Sequence, residues 1–95
     1  GGIENLMKLV ANVTKYPEDA WKQKAEGRVI LQFVVDEEGK MTYPKILQSV
    51  RYDIDKEAIR AFEAIADVYR WSPGYQDGEA KRVKFTMPLY FRIPK

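Results

Sequence analysis

In RVILQFVVDEEGKMTYPKILQSV, residues 28–50, every second residue from Val29 to Val35 is apolar: Val29, Leu31, Phe33 and Val35. That alternation predicts a β-strand with one face in a core. The turn Asp36-Glu37-Glu38-Gly39 then leads to a second strand from about Lys40 to Ser49, so the stretch is a hairpin. Ile30 and Val34 fall on the opposite face of the first strand. A strand apolar on both faces reads as central. Pro44 lacks an N–H to give to a ladder, which marks the second strand as an edge or as bulged.

Working outward, SPGYQDGEAKRVKFTMPLYFRIPK, residues 72–95, ends in a long alternating run. Val83, Phe85, Met87, Leu89, Phe91 and Ile93 are its apolar members, and Pro88 again signals an edge. Gly74 to Gly78 reads as a loop leading into it. Upstream, Ile3, Leu6, Met7, Val10 and Val13 recur at spacings of three and four, the stripe of an amphipathic helix that must stop before Pro17. Pro17 suits the start of a second, short helix, with Glu18 and Asp19 at its N-terminal dipole and Gly27 ending it. Between hairpin and last strand, DIDKEAIRAFEAIADVYRW, residues 53–71, is the strongest helix. Its expected N-cap is Asp55, with an Ile54–Ile59 staple. Its inner face is Ala58, Ile59, Phe62, Ile65 and either Tyr69 or Val68.

The order helix, helix, strand, strand, helix, strand predicts an α+β fold. Strands this short bury one face only if the longer helices share a side. A right-handed crossover from the second strand makes the last strand parallel to it and antiparallel to the first. The expected sheet is therefore three-stranded and antiparallel, in the order second-first-last, with helices packed on one face. Both outer strands then carry a proline. Phe33, Ile59, Phe62, Phe85 and Leu89 are the expected core, and Trp21 and Trp71 are packing residues at element ends.

The 95 residues make one domain, with a formal charge of +2, no cysteine and no histidine. Without histidine and cysteine the commonest general base, nucleophile and zinc ligands are missing. Asp36-Glu37-Glu38 is a carboxylate cluster at a turn tip, where no cleft separates an acid from a base. GYQDGEAKR, residues 74–82, lacks the phosphate-cradling P-loop pattern. The expectation is no catalytic residue, no metal and no cofactor. Tyr90 with Lys84 and Arg92 could stack single-stranded nucleic acid, but the small net charge and the absent RNA-recognition motifs argue against nucleic acid as a partner. No apolar run is long enough to span a bilayer, and no charged-then-apolar stretch resembles a signal peptide; if the protein is exported or anchored, that signal is expected outside this sequence.

Tyr16, Pro17 and Ala20, then Gly27 before the alternating strand, Asp36 and Gly39 at the turn, Asp55 and Ala58 on the helix, Trp71 and Pro73, Gly78, and Pro88 with Phe91 form an ordered set. From Tyr16 onward this resembles the C-terminal domain of TonB, the energy transducer of Gram-negative bacteria. The resemblance implies a periplasmic domain on an extended linker, anchored by an inner-membrane helix that is coupled to a proton-driven motor. It implies a partner: the TonB-box peptide of an outer-membrane TonB-dependent transporter, added as a strand to the edge of the last strand. The edge residues are Lys81, Arg82, Val83, Lys84, Phe85, Thr86, Met87 and Tyr90, with Pro88 confining the peptide to the Lys81–Met87 half. Thr14, Lys15, Tyr16 and Pro17 are a second contact by the same analogy. Open edges also allow an intertwined homodimer, and the basic last segment allows contact with peptidoglycan. The alternative to a transducer is a TonB-like interaction domain of a membrane sensor or antirepressor.

Overall fold

The computed structural model describes residues 2–71, 74–76 and 78–94. Helices α1 (Gly2–Val13) and α2 (Glu18–Lys22) precede strands β1 (Gly27–Val35) and β2 (Met41–Gln48). Helix α3 (Tyr52–Ala66) follows, then short strands β3 (Gly74–Gln76) and β4 (Glu79–Lys81), and finally β5 (Val83–Phe91). The main sheet is antiparallel in the order β2-β1-β5, with β1 central as its two apolar faces require. α3 lies over β1 and β2, and α1 lies over β5 beside α3, so the helices cover one face.

The alternation in sequence is the alternation in burial. Val29, Leu31, Phe33 and Val35 turn into the core with Met87, Leu89 and Phe91 from β5, against Leu6 and Val10 of α1 and Ile54, Ala58, Phe62 and Ile65 of α3. An aromatic group closes one end: the Phe33 ring centroid is 5.1 Å from Phe62 and 5.8 Å from Phe85, and Trp71 stacks on Phe85 at 5.0 Å. Ile59 and Phe85 pack on this core but remain half-buried. Tyr69, and not Val68, extends the inner stripe of α3; Val68 is exposed. Trp21 is half in solvent, its edge against Tyr16.

The β1–β2 turn needs its glycine. Gly39 sits at φ +81°, and a Cβ there would lie 2.0 Å from the carbonyl oxygen of Trp71. That close approach carries a bond, the Trp71 N–H donating to Gly39 O at 2.8 Å. The Asp36 carboxylate accepts the N–H groups of Lys40 and Glu38, each at 2.9 Å.

Four expectations need correction. Asp55 is not the N-cap of α3: the helix starts a turn earlier, with Arg51 in the capping position and Ile54 already a buried helical residue. Asp55 instead reaches back, accepting from the Val50 N–H at 3.1 Å and from the Ser49 hydroxyl. Gly27 does not end α2 but opens β1, and the left-handed position is Lys24 at φ 54°. α3 stops at Ala66, ahead of Trp71, where the expected helix ended; the Ser72-Pro73 that follows lies outside the described residues. Finally, the segment read as a loop from Gly74 holds the β3–β4 ladder, Gly74 opposite Lys81 and Tyr75 opposite Ala80, although Asp77 between the two strands is outside the described residues.

Candidate functional site

β5 pairs with β1 along its whole length, from Val35 opposite Val83 to Gly27 opposite Phe91, without a register shift. Among the described residues no strand pairs with its other side. The direction of its backbone groups follows from β1. Arg28 O accepts from Gln48 Nε2 at 3.1 Å and Val34 O accepts from Thr42 Oγ1 at 3.2 Å, so the even-numbered residues of β1 aim at β2. The odd-numbered ones therefore aim at β5, because backbone groups alternate sides along a strand. The hydrogen-bonded partners on β5 are Val83, Phe85, Met87, Leu89 and Phe91. Pro88, opposite Ile30, falls on a position that owes β1 no N–H. The outward N–H and C=O groups then belong to Lys84, Thr86 and Tyr90, with only a carbonyl from Pro88.

The other edge is a poorer template. β2 shifts register against β1 between Ile30 and Leu31 and between Gln32 and Val34, and Tyr43 takes a positive φ of 53° next to Pro44. Bulges and prolines of this kind blunt an edge against pairing.

The expected site residues divide by this geometry. Lys84 and Thr86 present both side chain and backbone outward, and Tyr90 is half-exposed with the Arg92 guanidinium 5.2 Å above its ring. Val83 and Phe85 turn half-buried side chains toward the helices, and Met87 is fully buried. Lys81 lies on β4, paired with Glu79 at 3.1 Å. Arg82 is held by Glu37 at 3.1 Å and lies 5.9 Å over the Tyr43 ring.

The second group is built by α3. Lys15 N–H donates to Glu57 Oε2 at 2.6 Å, and Arg60 bonds both oxygens of that carboxylate at 2.7 Å. Arg60 also donates to Val13 O at 2.7 Å, which caps the C-terminus of α1 from a neighbouring helix. Partial burial of Glu57 opposes its charge, yet the bonds from Arg60 and from the Lys15 N–H outweigh it and hold the carboxyl below its usual pKa. Thr14 Oγ1 donates to Val10 O at 2.6 Å. Tyr16 donates its hydroxyl to Ala25 O, and its ring meets Phe91 edge-on at 5.6 Å. Burial, with the Glu26 charge adding, pushes the Tyr16 phenol up. Pro17 caps α2 from an extended conformation.

These two groups meet. A recess of about 220 Å³ is lined by Ala11, Thr14 and Tyr16 on one side and by Leu89, Tyr90, Phe91 and Arg92 on the other, at the end of the β5 edge beyond Pro88. Lys15 and Pro17 face a different hollow, against Tyr52, Lys56 and Arg60. Sequence reasoning missed the Glu57–Arg60 clamp, although an acid and a base three apart on a helix were visible. It also missed the strained Tyr43, although Pro44 beside it marks the strand as an edge or as bulged. Among the described residues no three His, Cys, Asp or Glu side chains are placed to hold a metal ion, and no helix is long and apolar enough to cross a membrane.

The family model described as Gram-negative bacterial TonB protein C-terminal matches residues 12–93. Among solved structures, the chain is similar to the TonB C-terminal domain of Helicobacter pylori, residues 179–285, at a TM-score of 0.78 and 16% identity, covering 95% of this chain and 78% of that one. A shorter form of the same domain, residues 194–285, gives 0.70 at 17% identity, with 93% and 89% covered. The Pseudomonas aeruginosa TonB C-terminal domain gives 0.63 at 26% identity, with 86% and 80% covered. No curated protein matches in sequence.

Proposed function

Because this chain belongs to the family of Gram-negative bacterial TonB protein C-terminal domains, we propose that it is the periplasmic, peptide-binding end of an energy transducer. It is a binding module and not a catalyst, as its family is. Its partner is the TonB-box segment of an outer-membrane TonB-dependent transporter, and the segment adds as a strand to the outer edge of β5. The observation that carries this is the contrast between the two sheet edges: among the described residues β5 is regular and unpaired on its outer side, while β2 is bulged. Lys84 and Thr86 supply two outward donors and two acceptors, a ladder whose main-chain bonds tolerate varied peptide sequences. Pro88 ends it, since its ring occupies the place of the next donor.

A strand bound in this way resists a pull along its own axis, because the ladder bonds share the load. That suits a contact that passes on energy drawn from the proton-motive force through an inner-membrane anchor upstream. The test is calorimetric titration of the domain with a TonB-box peptide, against Thr86→Pro. Binding by the parent and weakened binding by the variant, at an unchanged melting temperature, is the expected result. Equal affinity in both would move the site away from this edge.

A further inference from the structure

We propose that the uncovered face of the β2-β1-β5 sheet docks on an anionic lipid surface. The helices cover the odd-numbered face of β1 and β5, and among the described residues no helix covers the even-numbered face. Its charge is one-sided. The three strands contain Arg28, Lys45 and Lys84 and no Asp or Glu, and Arg92 follows directly. Among the described residues none of these four is in an ion pair. The acids lie elsewhere: α1, α2 and α3 carry Glu4, Glu18, Asp19, Asp53, Asp55, Glu57 and Glu63. Asp36, Glu37 and Glu26, at the ends of the face, are engaged with the Glu38 and Lys40 N–H groups, with Arg82 and with the Ile93 N–H respectively. Those helices also carry Lys8, Lys22, Lys56 and Arg60, so with seven acids against four bases they are net acidic, while the sheet face is net basic; this polarity orients the basic side toward a negative surface before contact.

The arrangement of side chains selects lipid over other polyanions. The centre of the face is aliphatic: Ile30 and Val34 of β1 flank Gln32, and Pro88 stands opposite Ile30, all partly accessible. The cations and Tyr90 stand around it, Lys45 opposite Gln32, Lys84 opposite Val34, and Arg28 opposite Tyr90. A sheet that stacks nucleic-acid bases needs aromatic rings at its centre. Here the exposed rings, Tyr90 on β5 and Tyr43 on β2, belong to the two outer strands and none to the central β1. An apolar centre within a margin of tyrosine and long cationic side chains is the pattern of a bilayer interface, where stems lie along the apolar region and charged heads meet phosphate. Docking this face leaves the outer edge of β5 open sideways, so the inference does not depend on the peptide reading.

The experiment is co-sedimentation of the domain with phosphatidylcholine vesicles, with and without phosphatidylglycerol, at two salt concentrations. Binding only to the phosphatidylglycerol vesicles, and weaker at higher salt, is expected. Arg28→Glu with Lys45→Glu, both at exposed positions, should reduce the partition coefficient by at least about tenfold, each cation near such a surface being worth roughly a factor of five. The melting temperature and the peptide titration should not move. Lys8→Glu with Lys56→Glu on the helices should leave vesicle binding intact. A Tyr90→Trp variant should shift its emission to the blue on vesicles. No binding to phosphatidylglycerol vesicles overturns the proposal, as does binding that survives the sheet-face reversal. Tighter binding to a single-stranded oligonucleotide than to vesicles overturns it in favour of nucleic acid.

Discussion

Phe62 shows how directly a periodic sequence maps to a core. It is 1% exposed, with its ring against Phe33, so Phe62→Ala should cost about 3–5 kcal/mol in a denaturant titration. A variant as stable as the parent would contradict this packing. Ile59 and Phe85 sit on the same stripes but at the margin of the helix–sheet layer, and periodicity alone does not say where a layer ends. The Glu57–Arg60 spacing was visible but its role was not, because the partners that give it one, the Lys15 N–H for Glu57 and Val13 O for Arg60, are far off in the chain. The folded Glu57 carboxyl binds its proton less tightly than the unfolded one, so the clamp stabilises the fold fully above the ordinary value of 4.5 and is lost as pH falls through the lower, folded value. Glu57→Gln should therefore melt below the parent at neutral pH, and the gap should close as pH drops below 4.5. A constant gap would place the effect in packing and not in charge.

Elements were legible wherever their own periodicity set them. α1, β1, β2 and β5 fall where apolar spacing places them, and the order β2-β1-β5 follows from the two-faced β1 and from the prolines on its neighbours. Errors gathered at boundaries. Asp55 carries the signature of an N-cap, but the burial of Ile54 recruits an extra turn and turns the carboxylate backward to Val50. The β3–β4 ladder has three residue pairs, with Gly74 in one strand and Gly78 just before the other, too short and too turn-like for alternation to register. Of the candidate site, the edge itself was legible but its parity was not, since that needs the pairing of β1 with β2. Parity gives a sharp expectation. Lys84→Pro and Thr86→Pro should each weaken peptide binding by about 0.5–1.5 kcal/mol, the net worth of a hydrogen bond, at little cost in stability. Phe85→Pro should lower the melting temperature, because its N–H serves β1. Thermal melts without this two-residue rhythm would show the strand facing the other way.

At the scale of the molecule, the chain extends over 51 × 21 × 19 Å, a long body for its size. The central strand has two neighbours of very different origin. β2 follows β1 across a tight turn, whereas β5 arrives from the far side of α3, with Val35 meeting Val83 and Gly27 meeting Phe91. Strand order therefore implies an order in time. Closing the short turn costs little chain entropy, and bringing β5 home costs more, so the hairpin should be formed at the folding barrier and β5 should lock afterwards. Met41 and Met87, 3% and 0% exposed, make a matched pair of probes on the two neighbours. In stopped-flow refolding Met41→Ala should mainly slow folding, while Met87→Ala should leave folding almost unchanged and speed unfolding. The reverse pattern would mean that the distant strand nucleates the sheet. If β5 is last to lock, it is also first to loosen, and the strand offered to a partner is the one whose seam with β1 opens soonest.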